Sequence, residues 1–223
     1  MPSSLPLDGG FRQTIAGCVE ELKRVGRFDE LCAKLIPCEG HDGYLMPVGD
    51  LHRDDHRLIA DLARWREENY FVFPTQFPVT IEGTTRWLHK SIIENPDRLL
   101  FLVLDRCGHA MGHVGFTEYL NDQGEMEAEN IVRGVKVGAP GLMSRAMRAM
   151  LGWARGLGGR RFHLRVFSDN QHAVDFYRQL GFKDDVLLPL RRHKEESSTI
   201  YRPVAEGDKD KPDKFFLQMI AEV

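Results

Sequence analysis

The stretch that decides the fold runs from Arg161 to Phe182 and reads RFHLRVFSDNQHAVDFYRQLGF. Its first part, Arg161–Phe167, alternates apolar and polar residues and predicts a strand. Asn170 is a preferred residue at a helix N-cap, and a helix is predicted over Asn170–Leu180. Gly181 then ends that helix, because glycine is the residue that most readily follows a helix C-terminus. The stretch therefore predicts a strand followed closely by a helix.

Three strands precede this unit. Arg98–Asp105 is an apolar run, and Ala110–Glu118 follows it after a tight turn. The segment Glu125–Gly134 alternates as a strand does. Its two predicted faces carry Met126, Ala128 and Asn130, and Glu127, Glu129 and Ile131. Strands joined by such short turns predict an antiparallel meander.

A glycine-containing turn, Gly138–Gly141, lies between the third of these strands and a helix predicted over Leu142–Leu157. A strand, a turn with free backbone N–H groups and a helix N-terminus together favour phosphate binding. The plainer alternative is that the glycines only reverse the chain direction. The chain has neither GxGxxG nor GxxxxGK[ST], which argues against a dinucleotide site and a P-loop.

The remaining segments complete a mixed α/β architecture. Apolar spacing from Phe11 to Leu35 predicts two short helices divided at Gly26, and the loop 37–43 predicts a boundary between an N-terminal helical extension (residues 1–43) and a main domain (residues 44–223). The other predicted elements are a strand at Tyr44–Val48, helices at Leu51–Asn69 (capped by Asp50) and Ile81–Glu94, and strands at Val186–Leu190 and Phe215–Ile220. The charged segment 191–214 is predicted to be a loop or hairpin insertion.

Composition excludes several classes of protein. The formal net charge is −3, which argues against a nucleic-acid protein that works through a bulk basic surface. The four cysteines form no CxxC pair, so neither a structural zinc site nor a disulfide framework is expected. No secretory signal or apolar run of membrane-spanning length is present, which predicts a soluble cytoplasmic protein without a membrane partner.

Residues Leu164 to Phe182 resemble the C-terminal signature of the GNAT superfamily of acyl-CoA-dependent N-acyltransferases. In that signature, an Asn opens the helix and Ala-x-x-(Phe/Leu)-Tyr-x-x-x-Gly-Phe completes it, as Asn170, Ala173, Phe176, Tyr177 and Gly181-Phe182 do here. The run 127–134 is also similar to the fourth strand of that family, and the resemblance covers residues 44–185. It implies a mixed, mostly antiparallel central sheet flanked by helices, with acetyl-CoA or another acyl-CoA as co-substrate.

The resemblance also implies a set of cofactor contacts. Ile131, Val132 and Arg133 would lie along the pantetheine arm, Asn170 would reach the same arm, and Phe176 would lie nearby. The family's pyrophosphate loop reads (Arg/Gln)-x-x-Gly-x-(Gly/Ala), and this sequence departs from it. Gly138 stands where Arg or Gln is usual and Met143 where a small residue is usual. The loop residues expected at the cofactor are Gly138, Ala139, Gly141, Leu142 and Met143.

Amide formation requires a base for the substrate ammonium and an acid for the departing thiolate. By resemblance the acid is Tyr177, and the alternative is a tyrosine that only packs the core. The base is expected to be Glu127, with Glu129 either replacing it or binding the substrate amine. Both glutamates are alternatively solvated residues of an exposed strand face, or the proton leaves through ordered water.

Family members bind the acceptor with their first helices and the loop that follows. This places Arg64, Trp65 and Phe73 on the acceptor side, with core and rim packing as the alternative, and His113 is a further candidate. His52 and His56 are four residues apart but lack an HExxH pattern, so no metal site is expected.

The sequence thus favours an N-acyltransferase that acts on a primary amine of a small molecule, with an amino sugar, free or nucleotide-linked, as the narrower hypothesis. The first alternative is a protein N-terminal or lysine acetyltransferase. The second is a non-catalytic acyl-CoA-binding domain of the same fold. The N-terminal helices would pack on the domain or form the contact of a homodimer.

Overall fold

The computed structural model describes residues 10–205 and 211–222. The helices are α1 (Gly10–Lys23), α2 (Phe28–Ala33), α3 (His56–Glu68), α4 (Ile81–Trp87), α5 (Leu142–Gly156) and α6 (Gln171–Gln179). The strands are β1 (Ile36–Pro37), β2 (Gly43–Pro47), β3 (Thr75–Gln76), β4 (Arg98–Asp105), β5 (Ala110–Thr117), β6 (Glu125–Arg133), β7 (Arg161–Phe167), β8 (Lys183–Lys194), β9 (Thr199–Pro203) and β10 (Lys214–Glu222). Within these residues, no helix is both long and apolar enough to cross a membrane.

The ten strands form one sheet in the order β1-β2-β4-β5-β6-β7-β10-β8-β9-β3. Among these pairs only β6 and β7 run parallel. The predicted meander is confirmed as β4, β5 and β6, and the mixed, mostly antiparallel sheet is confirmed with it.

Two predicted helices differ in their limits. Asp50 does not cap a helix; it begins a single 3-10 turn, Asp50–His52. The cap of α3 is Asp55, whose side chain accepts a hydrogen bond of 3.0 Å from the amide of Leu58. The second helix begins at Ile81 as predicted, after the Thr80 cap, but continues from Leu88 to Ile93 as a π-helix.

The charged segment after residue 190 contains more strand than predicted. Strand β8 continues to Lys194 and turns back into β9, with which it pairs antiparallel. Residues 206–210 of the same segment lie outside the described residues. Strand β9 also pairs with β3 through Thr75 and Ile200, a pairing that the sequence did not indicate because β3 has only two residues.

Each face of the sheet carries its own apolar core. The first core contains residues of α1, α5 and α6, such as Ile15, Met150 and Val174. The second core contains residues of α3 and the π-helix, such as Trp65 and Ile92. The N-terminal helices also reach the second layer, since the buried Lys23 ammonium donates to the carbonyl of Ile92 at 2.6 Å. The division of the chain at residue 43 stays a prediction.

Candidate functional site

The site is built where the sheet divides. Parallel pairing between β6 and β7 covers Glu125–Glu127 and Arg161–His163 and ends there. Strand β6 then stays paired with β5, whereas β7 stays paired with β10 as far as Phe167. Beyond Glu127 the two strands therefore diverge, and a wedge-shaped opening runs through the sheet from the first core's face to the second's.

A β-bulge at Asn130 changes the direction of β6 within this opening. His113 pairs with Val132 and Gly115 with Glu129, so Asn130 and Ile131 together face one residue of β5. Asn130 has a φ of 51°, in the left-handed region that is unfavourable for most residues. The prediction that Ile131 shares a face with Glu127 and Glu129 is wrong, because the extra residue reverses the alternation. Ile131 packs against the first core and Val132 lies in the second.

Glu127 lies at the apex of the opening and is only 6% exposed. Its carboxylate accepts two hydrogen bonds from the Arg165 guanidinium on β7, at 2.8 and 2.5 Å. Such a bidentate pair is stronger than a single hydrogen bond and fixes the orientation of the carboxylate. Glu118 and His163 bring further possible metal-ligand atoms within 4.8 Å of Glu127, but Arg165 contacts both carboxylates and fills the cation position between them.

Glu129, two residues farther along the same face, has a different environment. Its carboxylate accepts one hydrogen bond of 3.1 Å from Nη2 of Arg98 on β4, whereas Nε of Arg98 lies 2.5 Å from the other oxygen without hydrogen-bond geometry. Burial raises the pKa of Glu129 to about 7, while Arg98 lowers it and the neighbouring charge of Glu127 raises it. A carboxylate with this pKa exchanges a proton near neutral pH.

Tyr177 of α6 lies on the other face, within the first core. Its ring packs edge-on against Phe176 and Phe182, with centroid distances of 5.3 and 6.2 Å. Burial raises the pKa of the Tyr177 hydroxyl well above its usual range. No hydrogen-bond partner of that hydroxyl occurs among the described residues.

The turn before α5 has the backbone of an anion-binding loop. Gly138, Ala139 and Gly141 have φ values of 82°, 42° and 72°. The guanidinium of Arg133 donates to the carbonyls of Val135, Lys136 and Gly138, which holds the loop against the end of β6. Leu142 and Met143 begin α5 directly after Gly141.

The helix that follows leaves donors free. Gly141 provides no side-chain cap, and the first helical amide, that of Leu142, bonds back to Ala139. Within the described part of the chain, the amides of Met143 and Ser144 have no acceptor. The departure from the family's loop sequence therefore leaves the backbone donors in place, and they fit a phosphate group.

Asn170 caps α6, and its side chain accepts a hydrogen bond of 3.3 Å from the amide of Ala173. The predicted cap is confirmed by this bond. Phe176 is partly buried against the first core, one residue before Tyr177. Both residues thus lie on the face of the opening that α6 covers.

The four residues expected at the acceptor lie in different places. Arg64 is on the exposed side of α3, where it pairs with Asp61 at 2.6 Å, whereas Trp65 is fully buried in the second core. Phe73 is partly buried against that core, beneath the guanidinium of Arg66 at 3.5 Å from its ring centroid. His113 is buried and bonds to the carbonyl of Asn130. The structure therefore brings Trp65, Phe73 and His113 to one core and leaves Arg64 outside it.

Sequence reasoning placed Arg66 on the acceptor side together with Arg64 and Trp65, but it missed two arginines of this face, Arg98 and Arg165. Each of these two lies in a predicted strand in which its charge resembles that of an ordinary surface residue. The signal available was the position of each charge on a central strand, since Arg98 begins an apolar run and Arg165 lies between Leu164 and Val166, and a charge buried there needs a partner.

A bridge links the segment after α3 with the last strands of the sheet. It consists of residues 70–77, which follow α3 and end in β3, and of strand β9. The amide of Tyr201 in β9 donates to the carbonyl of Pro74 at 2.8 Å. The ring of Tyr201 also packs on Phe167, at the end of β7, with a centroid distance of 5.4 Å. The bridge therefore runs from the second core, which contains Val132 of β6 and against which Phe73 packs, to Phe167 at the end of β7.

Comparisons with known proteins agree with this geometry. The sequence model described as the acetyltransferase (GNAT) family matches residues 59–182, which is more than half of the chain. No curated protein sequence matches the chain.

Solved structures share the fold at low sequence identity. The ribosomal L7/L12 alpha-N-protein acetyltransferase RimL, in complex with coenzyme A, has a TM-score of 0.61 and 14% identity over 85% of this chain and 98% of that one. A GCN5-related N-acetyltransferase from Brucella melitensis has a TM-score of 0.60 and 18% identity over 83% and 77% of the two chains. A chimera of the spermidine N-acetyltransferase SpeG from Vibrio cholerae and hSSAT has a TM-score of 0.55 and 19% identity over 80% and 95%.

The diverging strands, the phosphate-type loop and the matched family segment coincide in one region of the chain. The chain belongs to the GNAT acetyltransferase family of acyl-CoA-dependent N-acyltransferases.

Proposed function

We propose that this protein transfers an acetyl group from acetyl-CoA directly to the primary amine of a small molecule. The observation that carries the proposal is the opening between β6 and β7, with the buried carboxylate of Glu129 on one face and the buried hydroxyl of Tyr177 on the other. A reaction centre in that opening would meet a base from the acceptor side and an acid from the α6 side. Bound acetyl-CoA would supply the activated thioester.

Glu129 is the base in this proposal, in place of the expected Glu127. A substrate ammonium must lose a proton before its nitrogen can attack, and the best base has a pKa near the working pH. Glu129 meets that condition with a pKa of about 7. Glu127 is committed to its two hydrogen bonds with Arg165, and it acts on the site through its charge.

Tyr177 is the acid. A thiolate with an ordinary pKa near 8.5 is a better leaving group when it receives a proton as it departs. Because burial raises the pKa of Tyr177, the hydroxyl keeps its proton throughout the neutral range. Without a competing acceptor among the described residues, that proton is available to the sulfur.

The co-substrate would be held mainly by backbone groups. The strand edge at Ile131, Val132 and Arg133 has no partner on the β7 side and would bond to the pantetheine arm. The loop 138–143 and the free amides at the start of α5 would bind the pyrophosphate. Asn170 and Phe176 would border the arm from α6.

The bridge favours a small acceptor over a protein chain. A peptide needs an open groove, whereas residues 70–77 and β9 link the second core to the end of β7. Phe73 belongs to the bridge, Trp65 supports it from the core, and Arg64 lies away from it. The comparisons give no support to an amino sugar in particular, so the proposed class is a small primary amine.

Protein N-terminal acetylation is the second candidate, since RimL, which shares the fold, is described as an alpha-N-protein acetyltransferase of ribosomal L7/L12. A peptide substrate would require the bridge to move aside. A non-catalytic acyl-CoA-binding domain is the third candidate, and activity alone separates it from the other two.

The test combines binding and turnover. Acetyl-CoA is added to the protein, the melting temperature is measured, and thiol release is followed with polyamines, amino sugars and short peptides with free N-termini. We expect a higher melting temperature and thiol release with at least one small amine. Release with peptides alone would replace the small-molecule proposal by the protein one. Neither effect with any amine would overturn the assignment as an enzyme.

A further inference from the structure

We propose that His113 is a positioning residue, which holds the carbonyl of Asn130 and thereby fixes the bulge that shapes the edge of β6 facing the co-substrate. The inference rests on the proposed function, because that edge is the part of β6 assigned to the pantetheine arm. In this role His113 shapes the backbone of β6, whereas the sequence alone predicts that it contacts the acceptor.

The bulge leaves a backbone group that the strand ladder does not satisfy. Asn130 is the extra residue, with a φ of 51°, and its carbonyl lies 2.5 Å from Nδ1 of His113. A carbonyl oxygen accepts hydrogen bonds and cannot donate them, so Nδ1 must carry the proton. The imidazole is therefore the neutral tautomer that carries its proton on Nδ1. Its hydrogen bond gives the Asn130 carbonyl a partner and fixes the direction of that carbonyl.

The ring cannot leave this position easily. His113 is only 4% exposed and lies beside the indole of Trp65, with ring centroids 6.1 Å apart. Trp65 is itself pressed against the end of β6, because a Cβ added at Gly134 would lie 2.1 Å from its Cε2 atom. The bulge, the imidazole and the indole thus form one packed unit on the acceptor side of β6.

The charge state of His113 makes this contact constant across the working pH. Burial lowers the pKa of His113 to about 4, the hydrogen bond to Asn130 raises it, and the charge of Arg66 lowers it further. Arg66 approaches from α3, and Trp65 on the same helix is uncharged. The ring consequently stays neutral above pH 5, and the contact does not act as a switch.

Removing the donor should loosen the edge that binds the co-substrate. His113→Leu keeps an apolar side chain of similar size but leaves the Asn130 carbonyl without its partner. We expect the Kd for CoA, measured by calorimetry, to rise about tenfold, as the loss of a buried hydrogen bond predicts. His113→Asn should keep the Kd within about twofold of the wild type, because its amide nitrogen can replace Nδ1. His56→Leu, a change at an exposed histidine of α3, is the matched control and should leave the Kd unchanged.

A spectroscopic measurement on the wild type tests the same inference without any variant. Nitrogen NMR of the imidazole should report the Nδ1–H tautomer of His113 from pH 5.5 to 8. An Nε2–H tautomer, or titration of the ring in that range, would overturn the inference. An unchanged CoA affinity in a folded His113→Leu protein would also overturn it, as would tenfold weaker binding by His113→Asn.

The outcome is separable from that of the proposed function. A wild type that binds no CoA would contradict the proposed function, and the tautomer would still show whether His113 holds the bulge. A wild type that binds CoA while His113 has the wrong tautomer would contradict only the present inference.

Discussion

The two halves of β6 differ in the strands with which they pair. The first half, Glu125–Glu127, is paired with β7, and at Glu127 also with Thr117 of β5, and the carboxylate of Glu127 is bound by Arg165. The second half, from the bulge at Asn130 to Arg133, is paired with β5 alone. The site therefore forms where β6 loses β7 as a partner, while β6 itself continues along β5.

The two glutamates of this strand express the same difference electrostatically. Glu127 and Glu129 share a face, yet Glu127 is fixed by a bidentate pair across the apex, whereas the pKa of Glu129 is raised to about 7 by burial. The Glu127 carboxylate is held in place by Arg165, whereas the Glu129 carboxylate can exchange a proton near neutral pH. Four variants test the parts of this site, beginning with the one that should lose the most activity.

Glu129→Gln should have the largest effect. It removes the proposed base, and general base catalysis typically contributes 100-fold or more, so kcat should fall by at least about 100-fold. Steady-state kinetics with the best amine of the panel measures it. Glu125→Gln on the same strand, which removes a partly exposed carboxylate paired with Arg161, is the control and should retain activity within about twofold. Equal losses in both variants would show that the strand, and not the base, was damaged.

Tyr177→Phe should lower kcat by about tenfold or more, which corresponds to roughly 1.4 kcal/mol of barrier. The ring that packs against Phe176 and Phe182 is preserved, so the Kd for CoA should change little. Calorimetry and turnover on the same preparation separate the two quantities. A fully active Tyr177→Phe protein would remove Tyr177 from the role of general acid.

Gly134→Ala tests the packing at the end of the second half. The added Cβ would meet the indole of the fully buried Trp65, so the free energy of unfolding should fall by about 1–3 kcal/mol. Urea denaturation measures this. Gly152→Ala on α5 is the matched control, since its Cβ would meet no atom within 4 Å, and it should be neutral or stabilising. Similar stability of the Gly134 variant and the wild type would mean that Trp65 is less tightly placed than the structure has it.

Glu127→Gln should have the smallest effect on turnover and a clear one on its pH dependence. The charge of Glu127 raises the pKa of Glu129, so its removal should lower that pKa. The base form of Glu129 would then persist at lower pH, and the ratio of the rate at pH 6 to the rate at pH 8 should increase. A kcat loss as large as that of Glu129→Gln would instead identify Glu127 as the base.

Much of the fold followed from local sequence signals. The Asn170 cap, the glycine after α6 and the short turns between β4, β5 and β6 each act over a few residues, and the structure has them where they were predicted. The predicted cap of α3 is wrong because Asp50 and Asp55 are both suitable cap residues. Asp50 begins a separate 3-10 turn, so α3 starts only after Asp55.

The rest of the site depends on contacts between distant parts of the chain. The bulge at Asn130 has no local marker, because it arises from the register of β5 against β6. The two glutamates look equivalent in sequence, and their partners, Arg165 and Arg98, come from different strands. The bridge depends on a two-residue strand that pairs with a segment more than a hundred residues away.

The pH dependence of kcat/KM in the wild-type protein tests whether Glu129 is the base, because it reports the titration of the free enzyme's base. With an amine from the panel, we predict that kcat/KM rises with pH through an inflection near 7, the pKa of Glu129. The slope must be positive, since the deprotonated carboxylate is the active form. An acid limb that follows an ordinary carboxylate, with its inflection near 4.5, would contradict the assignment of Glu129 as the base.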